Sequence, residues 1–486
     1  MVVAVSSCGS SYSSSSNNGS NGSGNDFPPA TVPLTRLSTD PFTNTTSQHA
    51  TEVEPGSFAS GSTMITSFQV GRIHGGGAAD IGYAISTDAG LTWNSNLLPG
   101  ITTFQGGGTN SAVSDTNVAY DAKHGIWLIS SLPISATNIQ VAVNRSTDGG
   151  ATWSNPVMVA QGPDLDKDWL VCDSATTSPH FGNCYMEWDD NGSGNLLFMS
   201  TSTDGGLTWS TPVTPSGSPH GLGGQPLVQP GGKVIVPYLA DAVSPNAIQS
   251  FASSDGGASW SVAVHIANVS DHPVAGGLRS DALPSAQIDG GGNVYVIWQD
   301  CSFRAGCTSN DLVMSTTADG TTWTAPVRIP IDAATSTLDH FIPGLGIDPA
   351  TTGSTAHLGL TYYYYPVANC TAANCALYVG FISSLDGGAT WSVATPVAGP
   401  MSVSWLPSTL SGQMVADYIA TSFVNGKAFG FFAVAKANAG TTFDEAIYTT
   451  ASGMDVLAAQ GRNSSPGERR IATAKSPTGR KTRTVR

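Results

Sequence analysis

Only 11% of this chain is charged, so the few acids, imidazoles and guanidiniums that share a short segment are the first candidates for chemistry. Asp339-His340 sets a carboxylate beside an imidazole, a pairing that moves protons near neutral pH. Asp417-Tyr418 offers a carboxylate and a phenol, and PDLDKDW gathers Asp166, Lys167 and Asp168. Arg72, Arg279 and Arg304, with Asp300 close to the last, lie in polar segments read as connections, as do PDLDKDW and TLDHFIPG, the latter holding Asp339 and His340. A guanidinium stays charged and can grip a carboxylate with two parallel hydrogen bonds. These residue types suit acid–base or nucleophilic attack on a substrate held by cations. An Asp-His dipeptide entering a strand has an equally ready structural use, with the Asp capping a turn and the His packed.

Other chemistries find no support. DDNGSGN puts Asp189, Asn191, Ser193 and Gly194 at calcium-loop offsets, but the closing position is Ser200 rather than Glu, so a hairpin turn is expected there. The chain has no phosphate-loop, HExxH or G-x-S-x-G pattern, which argues against an NTPase, a zinc protease and an α/β-hydrolase. No metal and no cofactor is expected.

The elements that must position these residues announce themselves by repetition. STDAGLTW begins at Ser86, STDGGATW at Ser146, STDGGLTW at Ser202, SSDGGASW at Ser253 and SLDGGATW at Ser384. A degenerate copy, TTADGTTW from Thr316, has Ala318 where the others have Asp. The spacing of the tryptophans runs from 51 residues (Trp209 to Trp260) to 68 (Trp323 to Trp391). Within the unit from Asp281 to Ile329, turn residues separate four short apolar runs, which predicts four strands per repeat. The octapeptide falls between the third and fourth strands. Its Asp is placed to cap backbone N–H groups, its Gly to supply positive φ and its Trp to pack beneath a neighbour.

The pattern S-x-D-x-G-x-T-W is the Asp box, or bacterial neuraminidase repeat, and residues 27 to about 450 resemble the sialidase-like β-propellers. The resemblance implies an all-β propeller of four-stranded blades whose boxes lie on the face away from the active site. Three unboxed strands after Trp391, together with TVPLTRLS near the start as an outer strand, favour seven blades over six. It also implies a glycoside hydrolase acting on extracellular glycans, using three arginines, a Tyr–Glu nucleophile and an Asp acid/base. Carried onto this chain, Arg72, Arg279 and Arg304 become substrate-binding candidates, with Asp300 beside them; Asp339, His340, Asp417 and Tyr418, chosen by residue type, are the catalytic candidates for a different hydrolase or a lyase on the same frame. The chain departs from the family: the early segment reads Arg72-Ile73-His74 instead of Arg-Ile-Pro, Arg328-Ile329-Pro330 falls in an outer strand, and no Tyr–Glu pair is evident. Catalysis is therefore left open. The alternatives are a non-catalytic propeller that binds glycan or protein and, after it, a polysaccharide lyase.

The rest of the chain bounds the setting. A net charge of −15 disfavours nucleic acid and anionic membranes as partners. Six of the seven cysteines form close pairs, Cys172 with Cys184, Cys301 with Cys307 and Cys370 with Cys375, which predicts disulfides and an extracytoplasmic, oxidising compartment. The seventh, Cys8, follows Val5-Ser6-Ser7 as in a bacterial lipoprotein signal, here abbreviated, and precedes a Ser/Gly/Asn tether. The expected organisation is a signal-like segment and tether over 1–26, one propeller over 27–455 and a basic disordered tail over 456–486. It is read as a monomer, attached to a membrane only if Cys8 is lipidated.

Overall fold

The structure, a computed structural model, describes residues 29–459. Cys8, the tether and the basic stretch from Arg462 lie outside the described residues. The fold is all-β, with helical residues confined to short 3-10 turns such as Asn191–Ser193.

Consecutive strands fold into antiparallel meanders. The first strands of the successive meanders are Glu52–Ser60, Ala112–Asp121, Leu165–Cys172, Leu227–Val228, Ser285–Ile288, Asp339–Ile347 and Ala420–Val424. Each of these packs against the first strand of the next meander, and the last returns to Glu52–Ser60. The packing contacts of the inner strands thus run in a cycle. In the last meander the outer place is taken by Leu34–Arg36, which pairs antiparallel with Glu445–Thr450 through Leu34 opposite Thr450 and Arg36 opposite Tyr448. This is the N-terminal outer strand expected from TVPLTRLS.

The core lies between meanders rather than inside any one of them. One apolar cluster joins Ile81 and Tyr83 of the first to Trp127 and Ile129 of the second, and another joins Tyr185 and Met199 of the third to Val236 and Phe251 of the fourth. The repeated octapeptide makes these seams. In the copy at Ser146, Ser146 Oγ donates to Asp148 Oδ1 at 2.8 Å, and Asp148 accepts from Thr152 N at 2.9 Å and Thr152 Oγ1 at 2.6 Å. Trp153 reaches back to Tyr83 of the preceding meander, 5.5 Å between ring centroids, and Trp93 meets Phe431 of the last meander at 5.7 Å. Gly150 sits at φ 94°, where a Cβ would stand 2.6 Å from Ile85 Cδ1 across the seam.

The degenerate copy is re-formed one residue along. Asp319, not position 318, accepts from Thr321 N at 2.8 Å and Thr322 N at 2.7 Å, and Thr317 Oγ1 donates to it at 3.1 Å. The hydroxyl two residues before the acid is kept, so Ala318 costs the turn nothing.

All three expected disulfides are present. Cys301–Cys307 and Cys370–Cys375 close second-to-third-strand loops, at the end of the meanders opposite the octapeptide turns, whereas Cys172–Cys184 joins a first strand to a second. Gly150→Ala is expected to lower stability by about 1–3 kcal/mol, from overpacking and the left-handed backbone together, as measured by denaturant unfolding.

Candidate functional site

Bulges aim the inner strands at a common centre. Register breaks between Val53 and Gly56, Ser114 and Thr116, Asp166 and Trp169, and Phe341 and Pro343. At these breaks Glu54, Asp115, Lys167 and Ile342 adopt φ of 56°, 41°, 51° and 50°. Non-glycine residues rarely take this left-handed form, and a bulge that imposes it re-aims a side chain. PDLDKDW and TLDHFIPG, expected as connections, are therefore parts of inner strands.

Lys167 is the hub. Its Nζ lies 2.6 Å from Asp417 Oδ2, 3.8 Å from Asp115 Oδ1 and 3.9 Å from Glu54 Oε1. Arg279 Nη2 also pairs with Asp417 Oδ2. Burial works against charge on Asp417, but Lys167 and Arg279 hold its carboxyl well below the usual range. Burial likewise opposes charge on Lys167, yet Asp115, Asp417, Glu54 and Asp166 keep it above its ordinary value. Glu54, with a weaker share of the cation, is pushed up to about 8 by burial, and Asp166 to about 6.

Beside this centre a cleft of about 360 Å³ opens between the fourth and fifth meanders. Its walls carry Asp241, Asp271 and Asp281 over an apolar floor that includes Leu222, Leu239 and Val269. Asp271 and Asp281 meet solvent at the residue level, but the recess around them thins out bulk water. Asp271 is raised to about 6 by that desolvation, opposed by a 3.0 Å hydrogen bond from Gln299. Asp281 is raised by desolvation and by the ionised Asp417, with Arg279 opposing.

The expected site residues do not form one constellation. Asp417 and Arg279 meet at the centre. Tyr418 is buried, accepts from Thr116 N at 2.9 Å and turns its ring edge to Trp169, so its phenol is a seam contact rather than a free nucleophile. Arg72 donates to Gly77 O and Met414 Sδ. Arg304 is locked to Asp311 and Asp332 and to the carbonyls of Ala333 and Ser336. The arginines do not converge. Asp300 accepts from Ser302 N at 2.7 Å and Ser270 N at 3.2 Å, which fixes a loop.

Asp339 and His340 turn to opposite faces of their strand, as neighbours in an extended chain must. His340 is buried against Tyr362 and Tyr364, and desolvation lowers its pKa. Asp339 accepts from Asn310 N at 2.7 Å and is raised to about 7 by burial. Its imidazole partner is His272, with Nδ1 3.3 Å from Asp339 Oδ2. His272 adjoins Asp271, yet no local motif links it to residue 339. Asp311, Asp332 and His340 have the spacing of a metal triad, but Arg304 and Arg328 already neutralise the two acids. Of the four consecutive tyrosines, Tyr362, Tyr363 and Tyr365 are buried, and DDNGSGN forms a turn between strands.

Two outcomes follow from these electrostatics. Lys167→Met would leave Asp115 and Glu54 buried without their cation and Asp417 with Arg279 alone, and cost about 3–5 kcal/mol, seen as a fall in the denaturation midpoint. Glu52, Glu54 and Asp168 are each raised to about 8, chiefly by burial. The folded state therefore keeps protons that the unfolded chain has released. Stability is full below the unfolded carboxyl values and drains as pH rises toward 8, so the melting temperature should fall between pH 5 and pH 9, and Asp168→Asn should flatten the slope.

Comparison with known proteins bears on the frame of this site. Residues 135–343 match the family model described as a BNR repeat-like domain. Among curated proteins, none is similar enough in sequence to match. Among solved structures, a polysaccharide lyase titled PL25 ulvan lyase superposes with a TM-score of 0.52 at 9% identity, covering 87% of this chain and 96% of that one. The Hadza microbial sialidase Hz136 gives a TM-score of 0.42 at 15% identity over 83% of this chain, which spans 66% of that protein's length. The K499G mutant of NanB sialidase from Streptococcus pneumoniae gives 0.42 at 13% identity, covering 87% and 70%. At such identities the lyase speaks for the fold alone, and residues 135–343 carry the BNR repeat-like domain.

Proposed function

We propose that this chain is an extracytoplasmic glycoside hydrolase built as a seven-bladed propeller over residues 27–455, with its substrate in the cleft between the fourth and fifth blades. The blade count rests on the cycle of inner-strand contacts and on the outer strand Leu34–Arg36. The three disulfides support an oxidising compartment, and the lipid anchor at Cys8 stays part of the proposal.

The observation that carries the chemistry is the accessible pair Asp271 and Asp281, raised beside an Asp417 that stays ionised. Both members of the pair are raised, so near neutral pH one of them can carry the proton that a donor needs. Glycosidic cleavage needs a donor and a charged partner: one carboxylic acid protonates the leaving oxygen while a second carboxylate attacks or activates water. Asp271 and Asp281 fill these roles, and Arg279 positions Asp417 and the cleft edge. Tyr418 and His340 have no part in this reading, because both are held in packing contacts.

The His272–Asp339 pair favours a second reading, in which an oriented imidazole removes a proton and the sugar chain breaks by elimination. The products separate the two: hydrolysis leaves saturated ends, and elimination leaves an unsaturated, ultraviolet-absorbing sugar. The test is incubation of the full chain with neutral, amino, sialylated and uronic-acid glycans, with mass spectrometry of what is released. Hydrolysis should fall at least about a hundredfold in Asp281→Asn and Asp271→Asn while thermal melting is unchanged. Glycan binding without release from any substrate would make the chain a non-catalytic propeller.

A further inference from the structure

The cations nearest the cleft are already engaged. Arg279 and Lys167 share Asp417, Arg304 is held by Asp311 and Asp332, and Arg72 by a backbone carbonyl and a thioether. None of the residues lining the cleft is basic. A sugar carboxylate placed there would meet Asp241, Asp271 and Asp281 with no free guanidinium to receive it, and like charges at short range repel. None of the three acids forms an ion pair within 4 Å among the described residues, although Arg279 and Lys167 stand near Asp281. Asp241 takes one hydrogen bond, 2.6 Å from Asn195 Nδ2 to Oδ2, and its Oδ1 has no partner among the described residues.

We propose that the cleft takes a glycan bearing a free amine, a glucosamine-type sugar, whose ammonium group docks among Asp241, Asp271 and Asp281 while the ring lies on the apolar floor. This deepens the hydrolase reading and rests on it. An ammonium brings three donors and no acceptor, the complement of a carboxylate-walled recess. Concave pockets with a few convergent polar groups are the usual form of small-ligand sites, and this cleft sets its acids beside Leu222, Leu239, Val269 and Ala282. An N-acetylated sugar fits the same shape but brings no cation to the carboxylates of the cleft.

The inference carries a pH signature. Around Asp271 and Asp281 stand Asp339, His272, Arg279, Asp417, Lys167 and Asp241. Desolvation raises Asp271 to about 6, so an ammonium ligand should bind more tightly as pH rises from 5 toward 6 and more weakly again once the sugar amine loses its own proton.

The experiment is isothermal titration of the full chain with three trimers: β-1,4-glucosamine, its N-acetylated counterpart and galacturonate. The amine trimer should bind roughly tenfold more tightly than the acetylated one at pH 7. That margin should shrink in high salt, and it should disappear in Asp241→Asn and Asp271→Asn chains that melt at the temperature of the unmodified protein. If a variant fails to fold, the salt and pH dependence of the unmodified chain decides alone. Equal or tighter binding of the acetylated or galacturonate trimer overturns the amine preference and leaves the hydrolase reading intact if those glycans are cleaved. Absence of binding by every trimer, with no glycan turned over, removes both.

Discussion

Apolar contact between neighbouring meanders holds everything else in place. A four-stranded sheet offers two faces and can bury them only against other sheets. Here each octapeptide turn carries a Trp and a Gly across the seam to the sheet before it, as Trp153 and Gly150 do toward Tyr83 and Ile85. The Ser and Asp of the same turn hold its backbone so that both reach their neighbour. One short sequence therefore fixes a turn and an inter-sheet joint together, which explains its recurrence at one end of the sheets and its absence from the chemistry at the other.

At the other end the inner strands pay for a polar centre with left-handed backbone at Glu54, Asp115 and Lys167. Asp417 keeps its charge because two cations face it, and that charge in turn helps to raise Asp281. Buried and exposed carboxyls thus belong to one electrostatic system in which Lys167 and Arg279 set the order of ionisation. The cleft lies at the margin of this system, where solvent and an apolar floor meet.

Much of the frame was legible in the sequence because it rests on local rules. The four strands of most repeats, the disulfide pairs and the place of TVPLTRLS as an outer strand came from turn residues, short cysteine spacing and strand counting, whereas the third meander, with strands Leu165–Cys172, Cys184–Asp190 and Leu196–Ser202, has only three. The site was less legible. That Asp339 and His340 part company follows from the two-residue period of a strand, but their true surroundings, His272 and the tyrosine stack, come from distant segments. The engagement of Arg72 and Arg304 depends on carbonyls and acids that no motif marks. Bulges at Glu54, Asp115 and Lys167 had no glycine to announce them, so inner strands were read as loops. Position 318 misled because the alignment of the octapeptide was kept rigid, whereas the turn needs only a hydroxyl two residues before an acid.

The outer strand Leu34–Arg36 finds its partner in Glu445–Thr450, at the far end of the chain. On a ribosome, that strand emerges before every sheet described here and waits for the last of them before its hydrogen bonds can form. Closing so long a loop is entropically costly and slow, so the cycle is completed last. Until then the nascent protein carries an unpaired edge on its final sheet and an open seam between its last and first sheets, both prone to unwanted pairing.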